Sequence, residues 1–362
     1  GRARGPRCLA GGGGGALAAA PAEGPMCEWS DSVLGPDGRV WSVPDSASSV
    51  LRFDPASGRA EAVGEVGAGP HKWAGGVLAE DGNIYCMPWN HTQVLRIDPS
   101  ACSLSLLSLE VPGGEVTARG EHKWRGAVLA GNGRIYGVPW NAESVLCVDP
   151  EKGTAVGFGE VGLEECKWSG AVLAGNGMIY CVPYDSRSVL RVDPETNSTA
   201  LLGDFGEGKR KWRGAVLGDD GLVYCIPYNA LEVLCIDPFT DALTTFGMAG
   251  GVRCKWRGGV VANDGNIYCA PDCADAVLCI EPAARRLSTF GTLGSGKWKW
   301  RGCALGGDGF VYCAPYEFGR TTLVVNPHCR TVHQVPSMSF DNFRLAGMVA
   351  NKEDGVLVVP LS

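Results

Sequence analysis

Seven tryptophans recur along this chain at an almost constant spacing, and this repeat constrains the fold more than any other feature. Successive members are 44, 51, 44, 44, 44 and 44 residues apart. Each lies in one recurring phrase, best seen at residues 211–238 as KWRGAVLGDDGLVYCIPYNALEVLCIDP. A period of 40 to 50 residues is typical of stacked or radially arranged repeat units. The tryptophans are Trp29, Trp73, Trp124, Trp168, Trp212, Trp256 and Trp300.

Each copy reads as four short strands joined by tight turns. An apolar run is followed by a DG or NG turn, a second run such as IYCVP, a polar loop, a third run such as VLRID and a weaker fourth run. The glycine of DG and NG supplies the positive φ that a tight hairpin needs, and the DP pairs suit a turn before the fourth strand. One copy is longer by about seven residues, which fall between Cys102 and Glu121 and predict a loop or outer-strand insertion.

A lone four-stranded meander cannot cover both of its faces, so the copies are expected to pack face to face as propeller blades. The sequence therefore predicts an all-β, seven-bladed β-propeller of four-stranded blades. Residues 345–360 resemble the first two strands of a further copy. This leaves an alternative open, namely an eight-bladed propeller whose last blade is incomplete. With 45% hydrophobic and 20% charged residues, the composition is that of a globular chain.

Two regions are distinguished along the chain. Residues 1–26 are rich in Gly, Ala and Arg and are predicted to be a disordered, low-complexity segment, compatible with the remnant of a transit sequence. Residues 27–362 are predicted to form a single β-propeller domain. No apolar run is long enough to span a bilayer, so membrane insertion is not expected. The net charge of −7 argues against a surface devoted to nucleic acid.

The repeat resembles those of the kelch and virginiamycin-B-lyase-like propellers. The resemblance rests on the apolar first strand, the G-x-I-Y second strand and the V-x-x-[IV]-D-P third strand, over residues 29 to about 330. It implies a propeller architecture and transfers no catalytic residue. The kelch double glycine after the second strand is replaced here by x-Pro, as at Val182-Pro183, and the WD dipeptide of WD repeats is absent.

Most of the 16 cysteines lie within predicted strands, where other copies carry Gly or Ser. A fixed disulfide framework would not tolerate that variation, so reduced thiols and a reducing intracellular compartment are favoured. In two copies the cysteines are equally spaced about the second loop, Cys225 with Cys235 and Cys269 with Cys279. A cross-strand disulfide is conceivable there, although free thiols are the default expectation.

Because the chain reverses at every turn, the loops after the second and fourth strands lie on one rim and the other turns lie on the opposite rim. The opposite rim collects acids such as Asp37, Glu80, Asp219 and Asp264. The first rim collects cations and aromatic residues, which we predict to be ligand-binding. The cations are Lys72, Lys123, Lys167, Lys211, Lys255, Lys299, Arg125, Arg213, Arg257 and Arg301, and the aromatic residues are Trp89, Trp140, Tyr184, Tyr228 and Tyr316.

Two interpretations of this basic and aromatic rim are open. A rim that concentrates positive charge around a central opening would attract an anionic ligand, an acidic peptide or an acidic protein. Alternatively, the repeat tryptophans are wedges between blades, and the lysines and arginines stack on them or pair with carboxylates. We expect the repeat tryptophans to have a structural role. For some of the cations and aromatic residues of this rim we favour a role in ligand binding.

Four consecutive copies place Cys27, His71, His122 and Cys166 two residues before the repeat tryptophan. These are zinc-ligating residue types, but equivalent positions on neighbouring blades are expected to lie too far apart to meet at one ion. No cofactor and no metal are predicted. The sequence shows no nucleophile with its base and no phosphate loop. It favours a non-catalytic binding platform, with a metal-assisted or acid–base lyase or hydrolase using His71 and His122 as the alternative.

Overall fold

A computed structural model describes residues 28–110, 121–316, 321–336, 347–351 and 355–359, the last two ranges as backbone strands only. The segment 1–26 therefore lies outside the described residues. Within the described part of the chain, every regular element is a β-strand. No helix there is long and apolar enough to cross a membrane.

The first four sequence repeats each form four consecutive strands. Repeat 1 comprises β1 (Trp29–Leu34), β2 (Val40–Pro44), β3 (Val50–Asp54) and β4 (Arg59–Val63). Repeat 2 comprises β5 (Trp73–Leu78), β6 (Ile84–Pro88), β7 (Gln93–Asp98) and β8 (Ser103–Glu110). Repeat 3 comprises β9 (Trp124–Leu129), β10 (Ile135–Pro139), β11 (Val145–Asp149) and β12 (Thr154–Phe158). Repeat 4 comprises β13 (Trp168–Leu173), β14 (Ile179–Pro183), β15 (Val189–Asp193) and β16 (Ser198–Leu202).

The later repeats follow the same order, and a hairpin comes after them. Repeat 5 comprises β17 (Trp212–Leu217), β18 (Val223–Pro227), β19 (Val233–Asp237) and β20 (Ala242–Phe246). Repeat 6 comprises β21 (Trp256–Val261), β22 (Ile267–Pro271), β23 (Val277–Glu281) and β24 (Arg286–Phe290). Repeat 7 comprises β25 (Trp300–Leu305), β26 (Val311–Pro315), β27 (Thr321–Asn326) and β28 (Thr331–Pro336). The hairpin comprises β29 (Gly347–Asn351) and β30 (Gly355–Val359).

The prediction of seven separate four-stranded blades is wrong in its count. The strands form five four-stranded sheets, one eight-stranded sheet and one two-stranded sheet. The eight-stranded sheet unites repeats 2 and 3 through a parallel pairing of β8 with β12, in which Leu109 lies opposite Ala155. The cause is the insertion: β8 is eight residues long, whereas most outer strands have five, so its end reaches the neighbouring outer strand.

The innermost strands make the ring, because the first strand of each repeat contacts the first strand of the next. At the closure, β29 contacts both β25 and β1. The hairpin therefore lies between repeat 7 and repeat 1, at the position that the alternative prediction gives to an incomplete eighth blade.

The seven repeat tryptophans have one structural role in common. Each is at most 4% exposed, and each indole N–H donates to a backbone carbonyl 20 or 21 residues later in its own repeat. Trp168 packs against Val145 and Cys147 of repeat 3 as well as Leu190 of its own repeat. The tryptophans are thus wedges between neighbouring repeats, and the structural interpretation is confirmed.

A glycine two residues after the repeat tryptophan lets the inner strands approach one another closely. Its φ lies between 61° and 87° in repeats 2 to 7, and the strand pairing shifts register at this bulge. A Cβ on Gly75 would lie 2.6 Å from the Cα of Gly126. Repeat 1 carries Asp31 at this position instead, where burial raises the pKa of its carboxyl group and the Arg301 charge opposes that rise.

The cysteine pairs predicted to face one another across the second loop are offset by one residue. Cys225 lies opposite Leu234, and Tyr224 lies opposite Cys235. The same offset separates Cys269 from Cys279. Because alternate residues of a strand point to opposite faces, each pair is divided between the two faces of its sheet, and the predicted opposition is wrong.

A different pair of cysteines meets directly between the first two strands of repeat 7. Cys303 lies opposite Cys313, with the two Sγ atoms 3.2 Å apart. The fourteen cysteines of the described residues are all free thiols.

Candidate functional site

The rim that carries the loops after the second and fourth strands is called here the aromatic rim, after Trp89, Trp140, Tyr184, Tyr228 and Tyr316. The backbone of the repeat lysine organises it. In repeat 3, the Lys123 N–H donates to the carbonyl of Trp89 in the preceding repeat, and the Lys123 carbonyl accepts from the N–H of Trp140. Repeats 4 to 7 form the same two bonds, so this rim is tied together from one repeat to the next.

The lysine side chains are directed into the protein, where they form hydrogen bonds with the backbone. Lys72, Lys123, Lys167, Lys211 and Lys255 are at most 6% exposed. Their ammonium groups donate to backbone carbonyls, as from Lys255 to Ala230 and Val252 at 2.9 and 3.2 Å, and Lys299 does the same to Ala274 at 2.6 Å. Burial lowers the pKa to about 8 for Lys123, Lys167, Lys211 and Lys255. These six residues therefore join loops and are poorly placed to contact a ligand.

The residue before each of these lysines has a left-handed backbone conformation. The φ angles of His71, His122, Cys166, Arg210, Cys254 and Trp298 lie between 54° and 65°. In His122, Cys166, Arg210 and Cys254 the backbone N–H donates to an Asn or Asp side chain of the preceding repeat. Asn141 accepts from Cys166 at 2.8 Å, and Asp185 accepts from Arg210 at 2.6 Å. The polar residue after Trp89, Trp140, Tyr184 and Tyr228 thus links two repeats.

Four of the rim aromatics form a continuous buried arc. Trp89, Trp140, Tyr184 and Tyr228 are 3–5% exposed and pack as one cluster. Neighbouring ring centroids are 5.8, 4.9 and 6.0 Å apart along the arc. Tyr316, in repeat 7, is half-buried. The arc supports other side chains and offers little of its own surface to a ligand.

The arginines that follow the repeat tryptophan lie over this aromatic layer. The Arg125 guanidinium lies 5.3 and 4.8 Å from the ring centroids of Trp89 and Trp140. Arg213 lies similarly over Tyr184 and Tyr228, at 5.6 and 5.3 Å. Both arginines are half-buried, unlike the aromatic rings below them. Contact with an aromatic face restrains a guanidinium while its N–H groups remain directed along its edges.

Arg257 and Arg301 share one ring, since their guanidinium groups lie 5.0 and 5.2 Å from the centroid of Tyr316. All four arginines stand on inner strands, so they are gathered near the axis. Two described acids accompany them, Asp31, which interacts with Arg301, and Asp272, which is 1% exposed and accepts a hydrogen bond from the Tyr228 hydroxyl at 3.3 Å. Burial raises the pKa of Asp272, and the charges of Arg257 and Arg213 oppose the rise.

His71 and His122 come together on the same rim. Their ring centroids are 5.5 Å apart, and His122 stacks on Trp89 at 4.7 Å. His71 Nδ1 lies 3.1 Å from Asp45 Oδ1. Among the described residues, no group of three or more His, Cys, Asp or Glu side chains could hold a metal ion. Cys27 lies outside those residues, and the expectation that zinc is absent remains a prediction.

The sequence did not single out Asp272, because five of the other repeats carry Trp or Tyr at its position and only repeat 1, with Asp45, carries an acid there. It also treated the column containing His71 and Cys254 as merely permissive. All six members from His71 to Trp298 have a positive φ, so the column provides a backbone conformation and accepts a variety of side chains.

No family model matches this chain, and no curated protein matches it in sequence. Solved structures do resemble it. A catalytically inactive virginiamycin B lyase from Staphylococcus aureus with quinupristin has a TM-score of 0.63 at 10% identity, over 80% of this chain and 93% of that one. A streptogramin B lyase has a TM-score of 0.62 at 13% identity, over 80% and 92%.

A periplasmic gluconolactonase from Pseudomonas aeruginosa has a TM-score of 0.56 at 16% identity, over 81% of this chain and 92% of that one. At these identities the similarity shows the fold alone. The chain has the architecture of virginiamycin-B-lyase-like propellers, and the kelch part of the predicted resemblance receives no support from these structures.

Proposed function

We propose that this propeller is a binding module whose aromatic rim holds an acidic peptide segment through Arg125, Arg213, Arg257 and Arg301. The observation that carries the proposal is the placement of four guanidinium groups near the axis, each over an aromatic ring. A guanidinium whose plane is already restrained loses less conformational entropy when it binds a carboxylate in bidentate fashion.

The charge balance near the axis supports an anionic ligand. Four arginines stand there, and two described acids interact with them, Asp272 with Arg257 and Arg213 and Asp31 with Arg301, so the arginines outnumber these acids. The six repeat lysines are also predicted contributors to binding. Because their ammonium groups donate to backbone carbonyls, we propose that these lysines add to the positive potential of the rim and do not contact the ligand directly.

Titration with hexaglutamate tests this proposal. We expect the Arg213→Ala, Arg257→Ala double variant to bind the peptide at least about 100-fold more weakly, because each arginine removed takes away a charged hydrogen bond that contributes about 1.5–3 kcal/mol. The salt dependence of binding should flatten in the same variant. Its denaturation midpoint should stay close to the parent's, since partly exposed charges contribute about 0–1 kcal/mol each to stability.

The matched control is Arg59→Ala with Lys152→Ala, which removes the same charge from exposed residues at the turns of the opposite rim. We expect its affinity for hexaglutamate to change by less than about threefold. Equal losses in the two double variants, or no binding by the parent protein, would contradict the proposal. Inorganic phosphate, used as a competitor, distinguishes a carboxylate site from a general anion site.

The alternative function is an acid–base or metal-assisted lyase or hydrolase using His71 and His122. It is favoured by the contact of His71 with Asp45 and by the 5.5 Å separation of the two imidazole rings. Glucono-δ-lactone and quinupristin are suitable probes, given what the similar structures act on or contain. Turnover that disappears in a His71→Ala, His122→Ala variant would establish this alternative, and the binding proposal expects no turnover above the uncatalysed rate.

A further inference from the structure

We propose that Cys254 and Cys273 form a reactive dithiol at the aromatic rim, which small disulfide compounds convert reversibly into a Cys254–Cys273 disulfide. This modification site lies beside Tyr228, the ring below Arg213, and the proposal does not depend on the proposed binding function.

The pair arises where two repeating positions meet in repeat 6. In repeats 2 to 5, the residue after the rim aromatic is Asn or Asp, and its N–H donates to the carbonyl of the left-handed residue in the same repeat. Repeat 6 keeps this bond, from Cys273 N–H to the Cys254 carbonyl at 2.9 Å. It is the only one of these repeats with cysteine at both positions.

The geometry brings the two thiols within reach of each other. The register that pairs Trp256 with Pro271 brings Cys254 opposite Cys273 when it is continued beyond the two strands, and the 2.9 Å bond between their backbones holds the two residues side by side, as a disulfide requires. The Cys273 side chain interacts with the Cys254 side chain, and its Sγ also lies 3.8 Å from Asp272 Oδ1. Both residues are half-buried, so reagents can reach them.

The surroundings distinguish an attacking thiol from a resolving thiol. Interactions with the Cys273 side chain, the Tyr228 hydroxyl and the charge of Arg210 lower the pKa of Cys254 to about 6 against the effects of burial and Asp272. The same contact with Cys254, together with burial, raises the pKa of Cys273. The backbone N–H of Cys254 is held by Asn229 at 2.8 Å, which fixes the attacking residue.

The reaction balances as two thiol–disulfide exchanges. The Cys254 thiolate attacks one sulfur of a small disulfide such as oxidised glutathione, an S–S bond forms, and glutathione leaves as a thiolate. Cys273 then loses its proton and attacks the Cys254 sulfur, which releases the second glutathione thiolate. The protein dithiol is oxidised by two electrons and the glutathione disulfide is reduced by two.

Repeat 4 provides a matched control. Cys166 occupies the same left-handed position as Cys254, with φ of 55° against 57°, and packs against the same aromatic arc. Its carbonyl accepts from Asp185 at 3.0 Å, where repeat 6 has Cys273. Cys166 therefore shares the backbone setting of Cys254 and lacks a resolving thiol at that position.

Exposure of the full chain to oxidised glutathione, followed by peptide mapping, tests the proposal. For this experiment all proteins, including the parent, carry the substitution Cys303→Ser, so that the close Cys303–Cys313 pair cannot form a disulfide. We expect a Cys254–Cys273 cross-link with a loss of about 2 Da, reversed by dithiothreitol. In the Cys273→Ser variant, glutathione should remain attached to Cys254. In Cys254→Ser, Cys273 should stay unmodified.

A Cys166→Ser variant should form the cross-link at the parental rate, and Cys254 should be glutathionylated at least tenfold faster than Cys166. Comparable rates at Cys254 and Cys166 would overturn the proposal, as would a Cys273→Ser variant that carries no adduct on Cys254. Near-UV circular dichroism of each variant, compared with the parent, checks that the fold is retained.

Discussion

Replacing Trp168 by alanine is expected to lower the free energy of unfolding by about 3–5 kcal/mol, the usual cost of removing a large buried aromatic side chain. The indole is 1% exposed and packs between repeats 3 and 4, against Val145 and Leu190. Its N–H donates to the Ser188 carbonyl at 2.8 Å, and alanine leaves this acceptor without that donor. The shift of the guanidinium chloride midpoint, followed by circular dichroism, measures the loss.

Two further variants separate the contributions. Trp168→Phe keeps most of the packing and loses the hydrogen bond, so a smaller loss of about 1–2 kcal/mol is expected. Trp298→Ala removes an indole that is 37% exposed, and its cost should stay below about 1 kcal/mol. If Trp168→Ala were no more destabilising than Trp298→Ala, the repeat tryptophans would not be the wedges described above.

Gly75→Ala is expected to lower the free energy of unfolding more than a glycine-to-alanine change usually does. Alanine at a φ of 87° costs about 1–2 kcal/mol through its backbone conformation. Its Cβ would also lie 2.6 Å from the Gly126 Cα, a backbone atom of the adjacent inner strand. Relief of that overlap requires two repeats to move apart, which adds about 1–3 kcal/mol.

Gly126→Ala is the matched control for this prediction. Its φ of 79° is similar, but an added Cβ would meet no atom within 4 Å. We expect it to lose only the conformational cost, so that the difference between the two variants measures the close approach of the inner strands. Urea denaturation of both proteins gives this difference, and equal midpoints would refute the proposed overlap.

Much of the fold could be predicted from the sequence because each repeat specifies its strands locally. The alternating apolar runs define the strands, and the glycines of the DG and NG turns, such as Gly82 and Gly221, both have a φ of 79°. The tryptophan column predicted the wedges between repeats. The sequence also placed acids on the opposite rim but did not predict their contacts. One of them, Asp220, accepts a hydrogen bond from the Tyr224 hydroxyl at 2.6 Å.

The candidate site was predicted in part. The sequence placed the cations and aromatics on one rim, but it could not separate the lysines from the arginines. Lys255 and Arg257 flank the same tryptophan, yet the inner-strand geometry buries the lysine among carbonyls and leaves the arginine over Tyr316. The sequence shows which charged residues are present. The direction of each side chain depends on the conformation of the surrounding backbone, which the sequence pattern does not specify.

The sequence by itself determined the repeat, the four strands of each copy, the tight turns and the rim on which the cations lie, because all of these depend on contacts or conformations within a few residues. Only the tertiary structure decided the joining of β8 with β12, the position of the β29 and β30 hairpin between β25 and β1, and the one-residue offset between Cys225 and Cys235. Each of these depends on strand register or on contacts between segments far apart in the chain. A single residue of register reverses the face on which a side chain lies, and no local pattern specifies it.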